Sequence, residues 1–103
     1  MTNREVITEL HRVTQQIPVG NAMSYGDVGD HMVPRQTGRA VGRLLANFGE
    51  GAAWWRVVRR DGYLSSFLRS PEIGALQRDL LRQEGIPIAD DTVPAEYLIR
   101  DLA

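Results

Sequence analysis

Arg39 and Arg43 stand four residues apart in the run Gly38-Arg39-Ala40-Val41-Gly42-Arg43. On a helix that spacing puts both guanidinium groups on one face. Glycine inside a helix costs up to about 1 kcal/mol relative to alanine, so Gly38, Ala40 and Gly42 trade stability for a low surface. Such a surface admits close approach, either by a nucleic acid or by another helix. Arg39 then projects beyond its neighbours, as a group able to hydrogen-bond a base or a phosphate. A second feature is the adjacent pair Trp54-Trp55 after a Gly/Ala loop. On an extended segment, neighbours point to opposite sides, so one indole can enter the core while the other faces a cleft. An indole in a cleft suits stacking on a nucleobase. The chain has no cysteine and only two histidines, His11 and His31. It therefore has no thiol nucleophile and no Cys-based zinc site, and the reading assigns it no metal and no cofactor.

The net charge of −1 argues against a nucleic-acid binder, but its distribution argues otherwise. All 12 basic residues are arginine, and residues 31–70 carry a net +5 between flanks of −2 and −4. A basic middle between acidic ends is compatible with a one-sided phosphate-binding patch, and equally with a mixed solvated surface. No apolar run approaches the length that crosses a bilayer. The N-terminus MTNREVITELHR is too charged for a signal peptide, so a cytoplasmic, nucleoid-associated location is expected, with no membrane partner.

These residues need elements to hold them. The 103 residues suit one domain spanning 1–103. Thr2 or Asn3 caps a helix to about Gln16, with Val6, Ile7, Leu10 and Val13 inward. Ser24 caps a second helix from Tyr25, broken at His31-Met32-Val33-Pro34. A third runs from about Gln36 or Thr37 to Asn47, and the tight break before it reads as a helix-turn-helix. Trp54 to Val58 is expected to be extended, and Arg59-Arg60-Asp61-Gly62 a turn. Residues 63–71 read as a loop. A last helix runs from Glu72 or Ile73 to Glu84, with Ile73, Leu76, Leu80 and Leu81 inside and Gly85 ending it. Short strands are expected at 86–88 and 97–99. The fold class is mainly α, a winged helix-turn-helix-like single domain with a minor β element.

Taken in order, these segments resemble the C-terminal DNA-binding domain of O6-alkylguanine-DNA alkyltransferases, and more closely the alkyltransferase-like proteins. Ile17-Pro18-Val19-Gly20 with Ser24-Tyr25-Gly26-Asp27-Val28 is similar to the family's I-P-x-G…T-Y-G-[DE]-[IV]. Arg39-Ala40-Val41-Gly42 resembles its R-A-V-G recognition helix, and Asn47 falls at its hinge asparagine. Trp54-Trp55-Arg56-Val57-Val58 lies at its P-C-H-R-V-V motif, and Leu80-Leu81-Arg82-Gln83-Glu84-Gly85 resembles its closing L-L-x-x-E-G. The resemblance implies that Trp54 occupies the place of the acceptor cysteine, as in the P-W-H-R of alkyltransferase-like proteins. Alkyl transfer by the family's route is then impossible, and the protein is not an enzyme.

The resemblance further implies a minor-groove recognition helix and a DNA-binding set of Tyr25, Arg39, Ala40, Gly42 and Arg43. Arg39 would replace an extruded guanine and Tyr25 would press on the neighbouring phosphate. Trp54, Trp55, Arg56, Val57, Val58 and Arg69 would form the lesion pocket, with Arg69 against the modified base and Asn47 and Glu84 as structural positions. Two departures stand out. Ala53 replaces a proline, which frees the loop before the motif. Trp55 replaces the histidine that links thiol to glutamate, and offers only an N–H, to bond Glu84 or simply to fill space. The implied partners are duplex DNA containing O6-alkylguanine and nucleotide excision repair proteins, bound by a monomer. From a different class, a small sequence-specific helix-turn-helix regulator would place Arg39 and Arg43 on base edges and both tryptophans in the core.

Overall fold

Capping and apolar spacing set the helices. The computed structural model describes residues 2–102. Helix α1 (Asn3–Gln16) starts at Thr2, whose side chain accepts the Glu5 N–H, and buries Leu10, Val13 and Thr14. Strand β1 (Met23–Ser24) leads directly into α2 (Tyr25–His31), where Ser24 accepts the Asp27 N–H. Thr37 caps α3 (Gly38–Phe48) in the same way, through Ala40. Trp54–Arg56 form a 3-10 turn, followed by strand β2 (Val57–Val58). A second 3-10 turn, Ser65–Leu68, precedes α4 (Pro71–Gln83), which is capped by Ser70 and has proline in its first turn.

The β element is small and central. β1 and β2 pair in parallel, Met23 with Val57 and Ser24 with Val58. Successive strand residues face opposite sides, so Val57 joins a core with Leu10, Val13, Val28 and Val41, while Val58 joins one with Leu64, Leu81, Ile86 and Val93. The first core carries α1, α2 and α3; the second carries α4 and the C-terminal segment. That segment returns beside β1 through a single parallel bridge between Ala22 and Leu98, after a 3-10 turn at Ala95–Tyr97, in place of the short strand expected near Tyr97–Ile99. At 86–88 the structure shows irregular chain, because Ile88 N–H bonds Ile86 O within the segment instead of a neighbouring strand.

The helix-turn-helix is held from behind by α1. Glu9 accepts from both Arg12 and the Val33 N–H, and Arg12 also donates to His31 O at 3.1 Å. The arginine bond holds the Glu9 carboxyl at about 2. Gly38 explains how closely α2 and α3 approach, since a Cβ there would lie 3.1 Å from the Gly26 nitrogen. The small residue thus serves another helix, one of the two uses its type permits.

Helix α4 corrects the expected inner face. Its buried residues are Gly74, Gln77 and Leu81, whereas Ile73 and Leu76 are 36% and 51% exposed. Two contacts set this rotation. The Phe67 ring presses on Gly74 where any Cβ would collide. Gln77 turns inward to bond main-chain carbonyls. Among the described residues no helix is long and apolar enough to cross a membrane, and no cluster of potential metal ligands occurs.

Candidate functional site

Trp54, Trp55 and Arg56 lie on a 3-10 turn, not the expected extended run. The turn still sends the two indoles to different places, with ring planes at 88° and centroids 6.2 Å apart. Trp54 lines a cavity of about 670 Å³. That volume lies in the range of ligand pockets. Tyr25 and Gly42 form one wall, and Asn47 and Glu50 lie at the end of α3 and the loop beyond. Arg69, Ile73 and Leu76 close the opposite side. The walls are mostly apolar, with Arg69 and Glu50 as the charged groups. The exposure of Ile73 and Leu76 thus has a location: both face this space.

Behind the turn the polar groups are satisfied. Trp55 donates its indole N–H to Glu84 Oε2 at 2.8 Å. Arg56 donates to both Glu84 oxygens at 2.9 Å, and its remaining amino group reaches Ile17 O. The Arg56 guanidinium also lies 5.2 Å from the Trp55 ring centroid. Burial pushes the Glu84 carboxyl up, but the bonds from Arg56 and Trp55 outweigh it and hold the group below the ordinary glutamate value. Of the two roles open to Trp55, the structure shows bonding to Glu84.

The loop before the turn is tied down where the sequence suggested freedom. Ala53 N–H, which a proline would lack, donates to the buried Thr14 hydroxyl at 3.2 Å. Gln15 bonds Gly51 O at 3.0 Å. Alanine at this position therefore carries a tether, and the signal was Thr14, polar on the inner face of an amphipathic helix.

Charge separates by partner. Arg35 pairs with Asp30, and Arg59 pairs with Asp61 and lies over Tyr63. Arg39, Arg43 and Arg69 form no ion pair among the described residues. All three are exposed. Arg39 stands outside the cavity lining while Gly38 and Gly42, on either side of it, contribute to that lining. Tyr25 bonds its hydroxyl to Ser65 at 3.1 Å. Sequence reasoning passed over Arg60, whose guanidinium comes within 3.2 Å of where a Gly26 Cβ would stand, beside Tyr25.

Residues 5–86 match the family model described as 6-O-methylguanine DNA methyltransferase, DNA binding domain. The chain belongs to this family. Its fold is similar to that of S. pombe Atl1, solved in complex with damaged DNA containing O6-carboxymethylguanine, with a TM-score of 0.84 and 23% identity. The likeness covers 98% of this chain and 100% of that one. No curated protein sequence matches the chain significantly.

Within this family domain the expected site residues divide. Tyr25, Gly42, Asn47, Trp54 and Arg69 meet at the cavity. Arg39, Ala40 and Arg43 share α3 beside it. Val57 and Val58 do not wall the cavity as expected. Each is at most 1% exposed, because β2 lies between the two cores and spends both side chains there. Trp55 and Arg56 lie behind Trp54 and flank a shallow hollow. In their place Leu45, Leu68, Ile73 and Leu76 complete the walls. Ile73 and Leu76 looked like core residues because an apolar helix stripe reads the same whether it covers a core or lines a cavity.

Proposed function

We propose that this protein binds duplex DNA, turns an O6-alkylguanine out of the helix into the cavity beside Trp54, and holds it there without removing the alkyl group. The observation that carries this is the position of Trp54. It is an indole on the wall of a cavity of about 670 Å³, in a chain with no cysteine at all, and the motif resemblance sets it at the acceptor cysteine's position. An indole carbon or N–H offers no competent nucleophile, so recognition is what this site retains. Its flat face stacks on the extruded base, a contact worth about 1–3 kcal/mol. Extrusion costs a few kcal/mol, and less for a lesion that already pairs badly.

Arg39 fills the vacated place in the stack, and Tyr25 meets the neighbouring phosphate. Ala40, Gly42 and Arg43 lie along the minor groove, and Arg69 closes on the modified base. The damaged-DNA complex of Atl1, which shares the fold, supports this reading. So does the absence of ion-pair partners for the three arginines among the described residues. The protein acts as a monomer in the cytoplasm, at the nucleoid, and leaves the marked site to nucleotide excision repair.

The test incubates the protein with a duplex carrying one O6-methylguanine. It measures binding against the matched guanine duplex, then weighs both protein and DNA by mass spectrometry. Tighter binding of the lesion with both masses unchanged is expected. A protein heavier by one methyl group overturns the claim of recognition without transfer. Equal binding of both duplexes, with a consensus emerging from random sequences, assigns the chain to sequence-specific regulation instead.

A further inference from the structure

We propose that Gln77 is the positioning residue that sets the shape of the lesion cavity, joining three of its walls through one buried amide; this rests on the function proposed above. Gln77 lies on α4 and is 1% exposed, one of few fully buried polar side chains in the chain. Burying an amide without partners is costly, and here the partners are Ser66, which lines the cavity, and two carbonyls behind it that adjoin the turn carrying Trp54. The amide nitrogen donates to Trp55 O and to Val57 O, both at 3.0 Å. These carbonyls bracket the end of the 3-10 turn that carries Trp54. The amide oxygen accepts from the Ser66 hydroxyl, on the turn that leads to Arg69. The helix that supplies Gln77 also supplies Ile73 and Leu76, on the cavity side.

Both amide protons and one oxygen lone pair are thus spent on fixing the Trp54 turn, the Ser65–Leu68 turn and α4 relative to one another. A polar group was not needed to fill this space. A leucine of similar volume would fill it, but would leave the Trp55 and Val57 carbonyls without this donor and the Ser66 hydroxyl without this acceptor. The cost of an amide is explained by direction: three bonds define an orientation between wall segments that apolar packing leaves adjustable. The Trp54 indole makes no hydrogen bond among the described residues, so its place depends on the backbone turn, whose end Gln77 holds. Ser65, next to Ser66, anchors Tyr25 from the same turn, so the amide also reaches the wall that faces α3.

The experiment compares the wild type, Gln77→Leu and Ser66→Ala on matched duplexes with and without one O6-methylguanine, by fluorescence anisotropy, with thermal unfolding alongside. The expected outcome for Gln77→Leu is a lesion preference reduced about fivefold or more, while affinity for undamaged DNA changes less than about twofold. Ser66→Ala, which frees only one turn, is expected to lower the preference by about twofold. A folded Gln77→Leu that keeps the full preference overturns the proposal, as does a parallel fall on both duplexes, since a merely structural role would weaken both. Should Gln77→Leu fail to fold, Ser66→Ala decides: a reduced preference supports the proposal and an unchanged one refutes it. A wild-type protein without any lesion preference refutes the proposed function itself, a result separate from a preference that survives the substitutions.

Discussion

Trp54 and Trp55 are adjacent in sequence and share one 3-10 turn, yet their surroundings are opposite. Trp55 donates to Glu84, carries the Arg56 guanidinium near its ring and packs against the second core. Trp54 lines an open cavity. Behind the turn, polar groups are matched; on the other side are the Trp54 ring beside the cavity and three exposed arginines that form no ion pair among the described residues. The difference teaches that a site is marked by what stays unmatched. Hydrophobicity alone would have placed both indoles in the core. The rigid rear also explains how the front can stay open, since an aromatic ring beside a cavity keeps its place only if its backbone is held.

Substitutions on the two sides should separate stability from recognition. The largest effect is expected at the rear. Glu84→Gln leaves the Arg56 charge largely buried beside a neutral partner and should cost about 2–3 kcal/mol of unfolding free energy in urea titrations, while the ratio of lesion to undamaged affinity is kept. Trp54→Ala should do the reverse, lowering lesion affinity by about 2 kcal/mol, or some thirtyfold, with a smaller change in stability. Arg39→Ala should weaken lesion binding by about tenfold, whereas Arg100→Ala, on the C-terminal segment, should leave it within about twofold.

A smaller effect follows from pH. Glu84 and Glu9 are both held below the ordinary value of 4.5 in the folded chain. Their contribution is complete above that value, where both states are ionised. It is lost as pH falls through the folded-state values, because the unfolded chain binds protons first. Unfolding at pH 7 and pH 3 should show the wild type losing stability on acidification. Glu84→Gln should lose less, and retain the part that belongs to Glu9. Equal losses would place the acid sensitivity away from the rear clamp.

Much of this frame was legible in the sequence. Thr2, Ser24 and Thr37 each sit one residue before a helix and cap it as their type predicts. Gly85 follows α4 with φ +94°. The five motif segments, in order, pointed to the domain that the family model then matched. What could not be read was orientation about an axis. Ile73 and Leu76 follow helical spacing faithfully, and nothing local says that Gln77, beside Leu76, turns inward to bond carbonyls 22 and 20 residues upstream in the chain. The same holds for Val57 and Val58, where motif position suggested a pocket wall. Pairing with Met23–Ser24, a contact distant in sequence, put them between two cores. Ala53 shows the converse, where alanine in the place of the motif's proline suggested a looser loop and its buried N–H bonds the Thr14 hydroxyl.

The most direct measurement of lesion holding is a titration followed by the emission of Trp54, in a Trp55→Phe background that leaves one indole. The account predicts that a duplex with a single O6-methylguanine changes this emission at concentrations about tenfold or more below those needed by the matched guanine duplex, as stacking on an extruded base requires. Coincident titration curves for the two duplexes, or an emission that DNA binding leaves unchanged, would contradict it.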